Sequence, residues 1–250
     1  MVPAHNEGDS IVPGLKLISD SVSFVKEILV VVDSVEDSTV GPVARLAREM
    51  PGIRVEINTY GPGPSNAIRF GIAASKASTV VVTMADGCDD PAQIDDLARL
   101  VKRGVSVACA SRYMPGGQQV GGPRFKKFLS RLAGKSFALL TGAGTKDATN
   151  SFKAYDKDFL LEVGIESRGG FEVGMELVAK AQRLQLPIAE IPTTWIDRSF
   201  GSSNFQMAKW LPSYLKWYLY GLGIMRHRPK VKKLGRTERV MSNESSIDGG

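Results

Sequence analysis

The chain has 250 residues, 43% of them hydrophobic and 23% charged, which excludes a disordered or fibrous protein and allows a sizeable core. Its net charge of +6 and pI near 9.3 call for an anionic partner, either nucleic acid, a phosphorylated substrate or a membrane surface, although much of the excess lies in the tail "RHRPKVKKLGRTER". Two cysteines, Cys88 and Cys109, build neither a disulfide framework nor a metal cluster, and no run of about 20 apolar residues is present for a membrane-spanning helix.

The opening "MVPAHNEGDS" has neither the basic start nor the apolar stretch of a secretory signal, and unpaired cysteines fit a reducing, cytoplasmic setting. "VPAHNE" (2–7) has the form of a strand end with almost no strand before it, so either the first strand is very short or the chain begins upstream. "EILVVVD" (27–33) is a continuous β-branched run ending in an acid; "STVVVTMAD" (78–86) and "VSVACASR" (105–112) repeat that form. Such runs belong to strands buried on both faces of a parallel sheet. Between them "VGPVARLAREM", "GPSNAIRFGIAASK" and "PAQIDDLARLVKRG" carry helical patterns, the last with Pro91 in its first turn and Gly104 at its end. The alternation predicts an open α/β, Rossmann-like, mostly parallel sheet flanked by helices.

Past residue 113 "MPGGQQVGGPRFKK" reads as a mobile loop, and "FKKFLSRLAGKSFALLTG" and "GGFEVGMELVAKAQRLQ" as helices. "IAEIPTTWI" reads as a short strand, and "QMAKWLPSYLKWYLYGLGIM" as an aromatic amphipathic helix interrupted at Pro212. Beyond Arg226 hydrophobic periodicity ends, as in a disordered basic tail. These shifts divide the chain into a folded domain (1–205), a membrane-interface helix (206–225) and a tail (226–250).

In open α/β sheets ligands bind beyond the carboxyl ends of the strands, where Asp33, Asp86 and Arg112 all fall. Asp33 suits a nucleobase N–H or ribose hydroxyl, whereas Asp37 and Ser38 read as helix caps. "GPGPSNAIRFG" (61–71) leads into a helix whose start could face a phosphate, or is a plain turn. In "TMADGCDDP" (83–91) Asp86 and Asp89 are candidate ligands for Mg²⁺ or Mn²⁺ on a pyrophosphate, which needs only one or two carboxylates, while Asp90 suits a cap for the helix at Pro91.

Taken in order, "VPAHNE", "VVVDSVEDST", "GPGPSNAIRFG", "MADGCDDP", "ASRYMPGG", "DATNSFKAY" and "FEVGMELVAKA…IAEIPTTWIDRSFGSSNF" resemble a family 2 glycosyltransferase of the dolichyl- or polyprenyl-phosphate mannosyltransferase type, over residues 2 to 205. The resemblance implies a GT-A fold, a nucleotide-sugar donor (GDP- or UDP-sugar), a divalent metal, Mg²⁺ or Mn²⁺, and transfer with inversion. It implies a nucleoside pocket lined by Pro3, Ala4, Glu7 and Asp33, with His5 placed to stack on the base. Asp86 takes the place of the second acid of the DxD motif. Arg112, Lys126 and Ser130 match groups at an acceptor phosphate, Asp147 and Lys153 belong to a "DxTxxFK" block, and Arg198 stands behind the donor diphosphate. The sequence departs from the pattern at Met84, where the first DxD acid would be, at Val32 before Asp33, and at "GSSNF".

A lipid phosphate acceptor needs no general base, whereas a hydroxyl acceptor needs a carboxylate; Asp147 is a candidate for that task, and a structural or diphosphate-side role within "DATNSF" is the other use of the same residue. The absence of an isolated "ED" or a "QxxRW" element favours a polyprenyl phosphate. Trp210, Tyr214, Trp217 and Tyr218, with Lys209 and Lys216, are residue types of a membrane interface, which suggests peripheral association on the cytoplasmic face; packing onto the domain is the other use of the same residues. A non-lipid hydroxyl acceptor and a binding protein without activity are the competing readings. No nucleic-acid motif and no G-x-G-x-x-G fingerprint is present.

Overall fold

The computed structural model describes residues 1–24, 26–197 and 207–225. The first three strands, β1 (Val2–Pro3), β2 (Ile28–Val32) and β3 (Ile53–Ile57), run parallel with β2 in the middle. A four-stranded group follows in the order β4 (Thr79–Val82), β7 (Lys153–Asp156), β5 (Val107–Ser111), β8 (Ile188–Pro192). In it β5 and β8 are parallel and β7 runs antiparallel to both neighbours. Met1 joins the two groups, its nitrogen donating to Val81 O at 2.8 Å and its carbonyl accepting from Thr83 N at 3.2 Å.

All five residues of β2 are buried because successive side chains leave by opposite faces and both faces are covered. Val30 and Val32 pack with residues of α1 (Ile11–Ser21) and α2 (Val40–Glu49), while Leu29 and Val31 meet Ala67 of α3 (Pro64–Ala74). α1 and α2 each cross between neighbouring parallel strands, and with helices on both faces a continuous apolar run is what β2 requires. After β4 the side chain of Asp90 accepts from Ala92 N at 3.0 Å and caps a short 3₁₀ turn that opens α4 (Ile94–Lys102).

Neither α1 nor β3 is among the elements expected from the sequence, "IAEIPTTWI" is two strands, β8 and β9 (Thr194–Ile196), rather than one, and further elements differ from expectation. "QQV" is a strand, β6 (Gln118–Val120), pairing in parallel with β9; three residues with two glutamines show no period, so the glycines around them dominated the reading. The strand β7 carries the fully buried Lys153, and a lysine inside "KAYD" conceals an interior strand. It is followed by α6 (Lys157–Val163), capped by Asp156, whose carboxylate accepts from Phe159 N at 3.3 Å. The last helix, α8 (Met207–Gly221), runs through Pro212 without a break. That proline lies close to the helix start, where only one backbone bond is lost.

The aromatic residues of α8 largely serve packing. Trp217 is 1% exposed and its Nε1 donates to Ser167 Oγ at 3.0 Å; Tyr220 lies edge-on to it, and Tyr218 donates to Ser136 Oγ at 2.8 Å on α5 (Arg124–Thr141). Trp210 meets Phe171 edge-on at 5.3 Å. The apolar residues that α8 exposes are instead Leu211 and Leu215. Among the described residues no helix is long and apolar enough to cross a membrane.

Candidate active site

The ends of β1 and β2 bring Pro3, Ala4, His5, Glu7 and Asp33 into one corner, because Pro3 pairs with Val31 and Ala4 N donates to Val31 O at 2.9 Å. Asp37 holds the turn below them, accepting from Asn6 N at 3.0 Å and Thr39 N at 2.8 Å, while Glu7 N donates to Thr39 Oγ1 at 3.0 Å. The exposed His5 ring stands 3.7 Å from the Asp37 carboxylate. Asp33 accepts from Asn58 Nδ2 and from Gly63 N, both at 2.8 Å. Gly63 has φ of +114°, a conformation that favours glycine, and precedes Pro64 at the start of α3. Asp33 therefore fixes the glycine-rich turn beside this corner.

The acids after β4 divide their tasks. Asp89 turns one oxygen inward, accepting from Thr83 Oγ1 at 2.9 Å and Met84 N at 3.1 Å. Its burial, together with the nearby Asp86 charge, pushes its carboxyl up to about 6. Asp86 accepts only from Cys88 N, at 3.1 Å through Oδ1, which leaves Oδ2 open among the described residues. Gly87, with φ of +69°, lets the chain fold back between the two acids. Met84 contributes its backbone N–H to Asp89 in place of a second strand-end carboxylate.

This donor set fits a hard divalent cation. Two crowded carboxylates, one with an open oxygen, favour a positive charge between them. Among the described residues no group of three His, Cys, Asp or Glu side chains is placed to hold a metal alone. A cation held by Asp86 and Asp89 would need further oxygen ligands from a bound molecule or water.

At the end of β5 stands the strongest polar arrangement of the crevice. Arg112 bonds Asp147 through two nitrogens, Nε to Oδ2 at 2.7 Å and Nη2 to Oδ1 at 2.9 Å, and its backbone N–H donates to the same carboxylate at 3.0 Å. Asp147 is fully buried and Arg112 nearly so, and the Arg112 charge holds the Asp147 carboxyl below its ordinary range. The carboxylate in turn raises the Arg112 pKa. Ser130 Oγ and Thr149 Oγ1 lie 2.7 Å apart and each 3.4 Å from Arg112 Nη2. β4 and β5 both run antiparallel to β7, so their carboxyl ends, followed by Asp86 and Asp89 in one case and Arg112 in the other, lie at the same edge of the sheet.

Lys153 sits beneath this cluster, fully buried, its ammonium donating to the carbonyls of Ala148 and Asn150. It cannot touch a ligand from there and instead holds the 147–150 loop, while Asn150 Nδ2 anchors that loop to Ala110 O at 2.8 Å. Asp147 likewise has both oxygens engaged by Arg112. Lys126 is half-buried on α5. The wall of the roughly 260 Å³ pocket beside Arg112 includes instead Lys127, Arg131, Tyr113 and Gln119. Lys127 donates to Gln119 O at 2.6 Å. The spacing of Lys127, Arg131 and Lys135 puts them on one face of the helix, a signal present in the sequence and not used. Arg198, the "GSSNF" segment and the tail 226–250 lie outside the described residues.

The model of glycosyl transferase family 2 matches residues 1–164. The chain is 31% identical over 213 residues to the undecaprenyl-phosphate mannosyltransferase of Micrococcus luteus, covering 82% of this chain and 85% of that one. To the polyprenol monophosphomannose synthase of Mycolicibacterium smegmatis it is 27% identical, over 84% of this chain and 85% of the relative. Among solved structures, glucosyl-3-phosphoglycerate synthase from Mycobacterium tuberculosis, in complex with Mn²⁺, UDP-glucose and phosphoglyceric acid, superposes with a TM-score of 0.67 at 19% identity, over 90% of this chain and 79% of that one. That likeness carries the GT-A fold. With a family match over well over half its length and a relative above 30% identity across most of it, the chain belongs to glycosyl transferase family 2.

Proposed function

We propose that the chain transfers a sugar, with inversion, from a GDP- or UDP-sugar to a polyprenyl phosphate at a membrane surface. The observation that carries the acceptor class is the commitment of Asp147 to Arg112. A hydroxyl acceptor needs a carboxylate to take its proton, and the residue best placed by sequence for that task is buried, doubly bonded and held ionised by an arginine. A phosphate acceptor arrives already anionic. Its oxygen forms the new bond to C1 of the sugar as the bond from C1 to the nucleoside diphosphate breaks, and no proton moves. The names of the bacterial relatives support the same acceptor.

On this reading Pro3, Ala4, His5, Glu7 and Asp33 line the nucleoside pocket, Asp33 by holding the Gly63 turn against it. Asp86 with Asp89 would hold Mg²⁺ or Mn²⁺, which neutralises charge on the departing diphosphate. Arg112 and Ser130 face the acceptor phosphate, with Lys127 in place of Lys126 in the wall of their pocket and Arg112 locked in orientation by Asp147 so that no reorganisation is needed on binding.

The membrane side is α5. Phe125, Phe128, Leu132 and Leu139, spaced by three, four and seven residues, stand exposed on one face, beside Arg124, Arg131 and Lys135. Tyr218 of α8 bonds Ser136 of α5, bringing Leu211 and Leu215 of α8 alongside. An apolar helical stripe with basic flanks is suited to lie in the headgroup region of an anionic bilayer.

A thermal-shift panel of nucleoside diphosphates with and without Mn²⁺ tests the donor side. One nucleotide shifting the melting point in a metal-dependent way supports the reading, and no shift with any of them contradicts it. Sedimentation with anionic and neutral vesicles tests the membrane side: protein left in the supernatant with both contradicts peripheral association.

A further inference from the structure

A second, larger cavity of about 770 Å³ lies against the Arg112 pocket, between α5 and the loop from Gly142 to Lys146. The two share Tyr113, Met114 and Arg131 in their walls, so Arg131 stands at the divide. The walls are held closely. Gly134 of α5 has no room for a Cβ against Lys146 O, nor has Gly144 against Ile188 O. Glu190, the only acid in the lining, accepts from Thr145 Oγ1 at 3.2 Å and Lys146 N at 2.7 Å and faces the Lys146 ammonium at 3.8 Å. Its charge is thus already answered.

The cations around the two cavities are not equally engaged. Arg112 already bonds Asp147, Lys127 a backbone carbonyl and Lys146 Glu190. Arg131 and Lys135, one helical turn apart, make no hydrogen bond or ion pair among the described residues. Like charges at this spacing repel, an arrangement that an anion between them relieves. The rest of the lining includes Met114, Pro115, Ala138 and Leu139, and Leu139 is also the end of the exposed stripe on α5. The cavity therefore joins a positive site at Arg131 and Lys135 to apolar lining that continues to the proposed bilayer face.

We propose that this cavity receives the lipid-linked acceptor, with Arg131 and Lys135 binding its phosphate and Met114, Pro115, Ala138 and Leu139 receiving its first isoprenoid carbons before the phosphate passes to the Arg112 pocket. The inference rests on the polyprenyl-phosphate reading above. It adds binding residues that the family resemblance does not assign.

The test uses the full chain with farnesyl phosphate as a short, dispersible acceptor, and measures steady-state transfer for the parent, Arg131→Ala, Lys135→Ala and the conservative Arg131→Lys. The expected result is a rise in acceptor KM of about tenfold or more for each alanine variant, the loss of one charge-assisted hydrogen bond. Donor KM stays as in the parent, and Arg131→Lys recovers part of the loss. Acceptor KM values within twofold of the parent in both alanine variants overturn the inference while leaving the function intact. A parent that transfers no sugar to any polyprenyl phosphate overturns both. Inorganic phosphate and anionic vesicles without farnesyl phosphate are run as competitors. If either competes as well as unlabelled farnesyl phosphate, the cavity holds a free anion or a bulk lipid headgroup and the inference fails.

Discussion

Arg112–Asp147 and Lys180–Glu176 are both buried ion pairs, and they hold different parts of the molecule. Lys180 and Glu176 lie one turn apart on α7 (Val173–Arg183), 2.7 Å from each other. Their remaining bonds close a loop: Lys180 donates to the carbonyls of Val163 and Gly164, and Glu176 accepts from Glu166 N and Ser167 N. The Lys180 ammonium also lies 5.2 Å from the centre of the Trp217 ring, so the pair underlies the seat of α8. Arg112 and Asp147 come instead from a strand end and a loop, 35 residues apart, with two hydroxyls and an open pocket beside them. Burial makes either pair costly to break, but only the second presents an edge to a cavity. The same interaction thus secures packing in one place and aims a fixed charge in the other.

The contrast can be broken by substitution, and the largest effect lies outside both pairs. Asp86→Ala removes the carboxylate with an open oxygen and should lower transfer by about 10³-fold, with little change in melting temperature because Asp86 is only half-buried. Unchanged turnover would remove Asp86 from the site. Next come the pairs themselves. Asp147→Ala leaves the Arg112 charge without its carboxylate, at about 3–5 kcal/mol by urea unfolding, and Glu176→Ala should cost less because Lys180 keeps Glu166 at 3.1 Å. At a temperature where both variants stay folded, Asp147→Ala should lose activity toward a water-dispersible acceptor, and Glu176→Ala should keep it while its tryptophan emission shifts red. Equal losses of activity would abolish the distinction between the two regions.

Acid sharpens the picture through Asp147. Its carboxyl is held below the ordinary 3.8 by Arg112, so the unfolded chain binds more protons in that range. The stability it contributes is present above about pH 4 and is lost as pH falls through its lower folded value. The urea midpoint of the parent should therefore fall more steeply between pH 5 and pH 3 than that of Asp147→Asn, and parallel slopes would show that the pair adds no such linkage. The smallest effect is expected at Thr149→Ala, about 1 kcal/mol for bonds shared with Asp147 and Ser130.

The legibility of the chain follows the same division. β2 and β5 are buried throughout because helices cover both faces, and α2, α3 and α4 between the strands show plain helical periods, so the strand ends bearing Asp33, Asp86 and Arg112 were readable. The short strands β6 and β7 were not, since one is too brief for a period and the other hides a buried lysine. No local signal links Arg112 to Asp147, and the resemblance placed both near the site without pairing them. Trp217 looked like a membrane-interface residue because composition alone does not say which side of a helix faces the core. The face of α5 bearing Lys127, Arg131 and Lys135 was visible by spacing, but its meaning depends on a cavity that only the fold creates.

The most direct measurement is transfer of labelled sugar from GDP- and UDP-sugars to undecaprenyl phosphate in detergent or vesicles with Mn²⁺, followed by solvent extraction. The account predicts that label from one donor enters the organic phase as a glycosyl phosphate labile to mild acid, and that Asp86→Ala abolishes it. Label that stays in water as free sugar, or that moves only to a hydroxyl acceptor in an acid-stable linkage, would contradict it.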